Sequence, residues 1–444
     1  MNCPPAARKI FDTLGLAFTH PTALRMGALA LLAIVTIGRR TLTHIIITSA
    51  GLLGGHFSSY YRLFSRPAWS MWRLGYWLAV LAIDLAPPGE PIVLAVDDTA
   101  TEHPGREVYG KGKHRAAPRS SASMVKWIWG HKWVVLAVIL PIPYVSRPWA
   151  LPVLIALYRN PSQSAAEGLR HKTPGDIART LTRRLLVWFP EKKFILLGDG
   201  GYSSRAMARF ARRFRQHLTF VGKFYADAGL YDPPYASTRR PRVKGAKLPT
   251  PAQCAAQAKR RAATVAWYGG GTRRVSLVGG EGQWYEAGRG LAAIRWVHVV
   301  DLDGTHREEY FFSTDPEMPL ERIVSLYTRR WNIETMFQEV RQHVGLGSTR
   351  RWCKKAVLRA EPWLFGLYSV IVLIYVEHLQ THEPKVTSYP WLTKTEPTFA
   401  DAIAEVRTLI WRETIFSDPR ISAVLKEIPP KIQETWINWF VHAA

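Results

Sequence analysis

Two short apolar runs constrain this chain more than any other feature of it. Ile92–Val96 and Phe194–Leu197 are unbroken apolar stretches, and each ends on acid: Asp97-Asp98-Thr99 after the first, Gly198-Asp199-Gly200-Gly201 after the second. Runs this short and this uniformly apolar read as strands buried on both faces, since a half-covered strand alternates and an amphipathic helix repeats at three and four residues. Around them the punctuation is regular. Val125–Trp129 and Trp133–Ile139 flank Gly130-His131-Lys132 and read as a hairpin. Thr173 is a good N-cap and Pro174 suits a first helical turn, so a helix runs from there to Trp188 and stops at Pro190. A further helix, Ser203–His217, leads into a strand, Leu218–Val221. The order describes an α/β protein with a mixed sheet that carries carboxylates at the ends of two strands.

The charge narrows the partner. Lys and Arg number 59 against 34 Asp and Glu, a net +25 that recurs along the whole length instead of forming one tail. Solubility alone asks for about 2 to 8 charges on a small domain. An excess of this size on a folded body points to a polyanion, nucleic acid first, because phosphates neutralised by Lys and Arg release their counterions. The chain does fold: 47% of it is hydrophobic and it holds 18 Trp, far from a disordered composition. Cys3, Cys254 and Cys353 are odd in number and scattered, with no CxxC and no HExxH, which fits a reducing compartment and no structural zinc. Gly27–Ile37 and Trp363–Val376 fall short of the roughly 18 residues of a membrane span, and Trp133–Tyr158 is interrupted by four prolines and Arg147, so all three read as core. The first nine residues lack the pattern of a signal peptide.

Composition divides the chain into five segments. Residues 1–88 read as helices (Leu24–Ile37, Thr41–Leu53, Ser58–Phe64, Ala68–Leu85). The glycine turn at Gly54-Gly55, with Arg40, His44, His56, Tyr60, Tyr61 and Arg62 about it, is open to two readings, a helix-turn-helix DNA reader or a plain helical bundle. Residues 89–224 hold the acid-tipped strands, and 225–315 form a β-rich insertion with a basic loop, Arg239-Arg240-Pro241-Arg242 to Lys247. Residues 316–350 return to helix, and 351–444 form a Trp-bearing helical tail open to a dimerising or a DNA-clamping role.

Pro319–Val344 predicts a helix whose apolar positions Ile323, Leu326, Ile333, Phe337, Val340 and Val344 keep helical spacing up to Gly345. On it Tyr327, Arg330, Glu334 and Arg341 fall within roughly 60° of one another at about 100° per residue. For a single Glu and Arg four apart, a solvated ion pair is the default. A phenol and two guanidinium groups about one carboxylate is instead a set suited to holding a metal beside phosphates.

Tyr327-x2-Arg330-x3-Glu334-x6-Arg341 resembles the Y-(2)-R-(3)-E-(6)-K signature of the insertion sequence 4 group of bacterial insertion-sequence DDE transposases, with Arg341 where Lys is usual. Asp97-Asp98-Thr99 is similar to that group's D-x-[ST] first-acid motif and Asp199-Gly200-Gly201-Tyr202 to its second. The resemblance spans about residues 92–345. It implies an RNase H-like core interrupted by the β-rich insertion, with a helical DNA-binding region before it and a helical region after it. It further implies Mg²⁺-dependent strand cleavage and strand transfer at terminal inverted repeats, by a homodimer on double-stranded DNA in the bacterial cytoplasm. Asp97, Asp199 and Glu334 would be the catalytic acids and would hold two Mg²⁺, with Mn²⁺ as a substitute, and Asp98 is the alternative first acid. Tyr327, Arg330 and Arg341 would contact phosphate. Lys111, Lys113, Arg239 and Arg240 are further DNA contacts, and Trp284 and Trp296 are open to a base-stacking or a core role.

Three other classes are weighed. Gly105-x4-Gly110-Lys111 imitates a P-loop, but Gly112 stands where Ser or Thr must follow and no helix opens there. A non-catalytic DNA-binding descendant of a transposase is the principal alternative, although all three acids are present. A membrane-associated protein would need a span the apolar runs do not supply.

Overall fold

In a computed structural model, residues 3–49, 51–115, 124–234, 243–388, 390–391 and 393–442 are described. Five helices come first: α1 (Pro5–Gly15), α2 (His20–Val35), α3 (Leu42–Thr48), α4 (Phe57–Arg62) and α5 (Met71–Asp84). Strands β1 (Ile92–Glu102), β2 (Gly112–Arg115), β3 (Trp127–Leu140) and β4 (Trp149–Tyr158) follow, then helices α6 (Pro161–Ala166) and α7 (Pro174–Trp188). Next come β5 (Phe194–Gly198), α8 (Arg205–Arg213) and β6 (Leu218–Lys223).

These strands build one unit in the order β4-β3-β1-β5-β6, with β3 antiparallel to both neighbours and β1, β5 and β6 parallel. This is the expected mixed α/β, RNase H-like sheet. Leu94, Ala95 and Val96 of β1 and all of β5 are buried, which accounts for the unbroken apolar runs. α7 begins at the anticipated cap, where Thr173 and Asp176 exchange side-chain and backbone hydrogen bonds.

Within residues 225–315 lie β7 (Leu230–Tyr231), α9 (Pro251–Gln257), β8 (Arg261–Ala266), β9 (Thr272–Glu286), β10 (Gly290–Asp301) and β11 (Glu309–Ser313). β11 pairs antiparallel with β6, so the sheet runs on through β10 and β9 as one eleven-stranded surface. α10 (Leu320–Arg329) and α11 (Asn332–Glu339) lie after it, and the chain ends in α12 (Lys354–His378), α13 (Phe399–Ile410), α14 (Pro419–Leu425) and α15 (Pro430–His442).

Two expectations are corrected, and one stretch read as core proves to hold a strand. The hairpin placed at Gly130-His131-Lys132 is a continuous strand: Gly130 pairs with Glu102 and Gly112, and a Cβ there would lie 1.9 Å from the Thr101 carbonyl oxygen. The glycine marks close backbone approach, not a turn. The proline-interrupted stretch after it contains a strand, β4, in which Pro152 sits at a register shift on the sheet edge where its missing N–H costs nothing. Finally, the single helix expected over 319–344 is tightened at its middle. Trp331, Ile333 and Glu334 donate to carbonyls three residues back, and the Asn332 amide caps the Arg329 carbonyl at 2.8 Å. It ends in a π turn, Val340–Val344, closed by Gly345 in the left-handed region (φ 82°).

Among the described residues one helix, α12, is long and apolar enough to cross a membrane, longer than the run read from the sequence. It is buried instead, packed by β4, α1, α5 and α13.

Candidate active site

Parallel pairing of β1 with β5 stops at Val96 beside Gly198, so Asp97 and Asp199 are the next residue on each. Asp199 leaves the end of β5, whereas Asp97, expected at a strand end, lies within β1, which continues along β3 to Glu102. Gly198 is needed there. A Cβ on it would meet Tyr202 at 2.9 Å and Phe220 at 3.1 Å, and the turn after β5 could not fold back. Asp199 organises that turn by accepting from the backbone N–H of Gly201 (2.9 Å) and Tyr202 (3.3 Å).

Strand alternation separates the two acids of β1. Asp97 points to the face on which α11 packs, where the Arg330 guanidinium donates to Asp97 Oδ2 at 3.2 Å and to Glu334 Oε1 at 2.7 Å. Asp98 points the other way, paired with Lys132 Nζ at 2.8 Å and accepting from the Tyr202 hydroxyl at 3.0 Å. The alternation that the sequence predicts for this pair therefore resolves as Asp97 toward Glu334 and Asp98 toward Lys132.

Burial pushes Asp97 up to about 8; Arg330 opposes the shift, and the nearby charges of Asp199 and Asp98 add to it. Arg330, itself buried, is raised by Tyr327, Asp97 and Glu334 despite desolvation. One guanidinium thus bridges the first and third acids and leaves the pocket short of positive charge. Among the described residues no three His, Cys, Asp or Glu side chains converge into a ready cage for an ion. The donor set is nevertheless all carboxylate oxygen, which suits a hard divalent cation completed by water and phosphate.

The other residues singled out in the sequence divide. Arg341, on the π turn, donates to Thr99 Oγ1 and faces the Ala100 carbonyl, so it is anchored to the end of β1 beside the acids. Tyr327 is buried and stacked on Phe311 (4.0 Å between centroids), with the Arg330 guanidinium over its ring. Lys111 folds back onto the Gly105 carbonyl at 2.6 Å, whereas Lys113 is exposed with its ammonium over the Trp127 ring. Arg239 and Arg240 lie outside the described residues. Trp284 and Trp296 are both buried, Trp284 among Phe224, Tyr225 and Phe312, so as placed neither ring is open to a base. Sequence reasoning passed over Trp331, which is 48% exposed in the middle of the signature, three residues before Glu334. Its place between Arg330 and Glu334 was the available signal. It also passed over Glu339, half-buried at the end of α11, which accepts from Tyr368 at 2.6 Å and pairs with Arg147 at 3.3 Å.

A mixed RNase H-like sheet thus carries carboxylates on two neighbouring parallel strands, with a third, on α11, tied to the first by a shared arginine. The chain belongs to the DDE superfamily endonuclease family, whose model matches residues 13–274, more than half of it. The matched span includes Asp97 and Asp199 and stops before α10. A cryo-EM structure of a piggyBac transposase synaptic complex with hairpin DNA is similar at 10% identity and a TM-score of 0.42, covering 90% of this chain and 73% of that one. No curated protein matches the sequence.

Proposed function

We propose that this protein is a DDE transposase of the insertion sequence 4 group, which binds the terminal repeats of its element as a dimer and cuts and rejoins DNA with Asp97, Asp199 and Glu334. The observation that carries the reading is the Arg330 bridge. It reaches from just before α11 back across 233 residues of sequence to Asp97 and joins it to Glu334, beside the strand end that bears Asp199.

Divalent metals are general in this endonuclease superfamily. Asp97, Asp199 and Glu334 would hold the ions, which in such sites activate the attacking oxygen and stabilise the leaving one. The remaining work belongs to the chain's own side chains. Arg330 orients Asp97 and Glu334 toward each other and holds part of their negative charge before DNA arrives. Arg341 locks the helix end to Thr99, fixing Glu334 relative to β1. Asp98, occupied by Lys132 and Tyr202, braces the strand and the turn after Asp199, and it takes no ligand role. The N-terminal helices, with their basic residues, are assigned to recognition of the repeat.

The test is cleavage of plasmid-borne element ends in Mg²⁺ by wild type and by Asp97→Asn, Asp199→Ala, Glu334→Gln and Asp98→Asn. The first three should lose at least about 100-fold in rate while retaining DNA binding, and Asp98→Asn should stay within about 10-fold of wild type. Wild-type rates in the first three variants would remove the triad. A wild type that binds the ends and never cuts would leave a DNA-binding protein.

A further inference from the structure

The sheet face that carries Asp97 continues past the acids along β1 and β3. Residues paired across an antiparallel ladder point to one side, and the register pairs Asp97 with Val135, Thr99 with Trp133 and Thr101 with His131. Two residues further along β3 stands Trp129, and two beyond it Trp127, and these pair with Lys113 and Arg115 of β2. One face of this ribbon therefore carries Lys113, Trp129, Arg115 and Trp127 in a checkerboard.

That face is open. Trp127 is 54% and Trp129 60% exposed, and Lys113 and Arg115 are exposed beside them, whereas His114, on the opposite side of the ribbon, is buried. The Lys113 ammonium lies 4.9 Å from the Trp127 ring centroid, so the indole planes are interleaved with cations. Segment 103–111 crosses the face between the ribbon and the acids, where the Tyr109 carbonyl meets His131 Nε2 at 2.9 Å, and Lys111 ties that segment to itself. Trp129 is six residues from Val135 along β3, about 20 Å at strand rise, or roughly six stacked nucleotides.

Two large exposed indoles are a poor solubility surface, and the cations exclude an apolar partner. The chemistry matches unpaired nucleotides: every base offers a face to stack on an indole, and the phosphates between bases meet Lys and Arg. Resting on the DNA-cutting reading above, we infer that the β2–β3 ribbon is a stacking platform for single-stranded DNA about six nucleotides from the cleavage site. It engages unpaired bases through Trp127 and Trp129, and phosphates through Lys113 and Arg115.

The experiment measures fluorescence anisotropy of the full-length protein, without metal, on two labelled probes. One is a blunt duplex of roughly 20 base pairs, and the other is the same duplex carrying a 3′ tail of about six thymidines. Wild type should prefer the tailed probe. Trp127→Ala/Trp129→Ala should cut that preference by about 10-fold or more and leave blunt-duplex affinity and thermal melting unchanged, while Trp127→Phe/Trp129→Phe should restore most of it. Lys113→Ala/Arg115→Ala should flatten the salt dependence of tailed-probe binding by roughly 1.5 in slope. A wild-type preference in the double Trp→Ala variant overturns the platform. Equal loss on both probes also overturns it, because the indoles would then serve the duplex. So does a shift from dimer to monomer in sedimentation with the preference kept, since the face would then contact a second copy. The readout needs no cleavage, so acid variants that cut like wild type would sink the catalytic reading and leave this one standing.

Discussion

At the scale of single residues, the site is held in a state that costs stability. Asp97 is largely desolvated beside two other carboxylates, with Arg330 and the Asp98 backbone N–H (2.7 Å) in compensation, and burial pushes it up to about 8. In the unfolded chain the same carboxyl ionises near pH 3.9. Between those limits the unfolded state releases a proton that the folded state keeps. The stability this proton confers is therefore complete below the ordinary carboxylate range and is lost as pH rises toward 8. Asp97→Asn removes the titration. Without metal, the variant should melt with wild type near pH 4 and a few degrees above it at pH 8, at about 2–4 °C per kcal/mol. Mg²⁺ should raise the wild-type melting temperature and leave the variant unmoved. Scanning fluorimetry across pH checks this, and equal melting at pH 8 would mean that Arg330 compensates Asp97 fully. That Asp97 and Glu334 share one side of the sheet was legible in the sequence, because strand alternation and a helical stripe fix where a carboxylate points. The tryptophans were not. Trp284 and Trp296 look no different in sequence from Trp127 and Trp129, and only the strands that cover them decide which rings reach solvent.

At the scale of elements, the sequence reads well where periodicity or capping is local and poorly where a glycine or proline serves a distant neighbour. α7 and its capping box follow from Thr173-Pro174 and Asp176 alone. Gly130 misleads because its reason lies on β1, and Pro152 hides β4 because that strand is at an edge with a register shift, its Ser369-bonded carbonyl turned toward α12. The middle of the third-acid helix is equally non-local in cause, since its tightening depends on Asn332 reaching back to Arg329. A substitution separates the two meanings of glycine. Gly130→Ala sets a methyl against the backbone of Thr101 and Glu102, which cannot move without opening the β1–β3 ladder. It should cost about 1–3 kcal/mol or more in urea denaturation. Gly54→Ala, with open space around its Cβ position, should change stability by less than about 0.5 kcal/mol. A neutral Gly130→Ala would restore the turn reading.

At the scale of the whole molecule, the two terminal regions interlock around one core. α1, α2 and α5 pack on α12, α2 also packs on α13, and α5 lies on β4, where a Cβ on Gly75 would strike the Val153 carbonyl oxygen at 2.7 Å. Two buried arginines tie the first helices to the last. Arg359 of α12 donates to the Phe64 and Trp69 carbonyls, and Arg407 of α13 donates from Nε to Ile34 at 2.9 Å and from Nη1 to Val441 at 2.9 Å. The sequence marks residues 1–88 as a compositional segment because they are helical and end at Pro87-Pro88, but composition does not reveal what their apolar faces rest on. Cut away from α12 and β4, those helices would expose Leu78, Ala79, Ala82 and much of α2 to water, with no second layer to bury them. A fragment of residues 1–88 should therefore give helical circular dichroism without a cooperative melt and should bind a hydrophobic dye, whereas the full chain should melt cooperatively. A sharp, dye-free transition in the fragment would make these helices an autonomous module and reduce the Arg359 and Arg407 bonds to docking contacts. Without that transition, the first helices are mechanically continuous with α12 and, through β4 and α11, with the strand that carries Asp97.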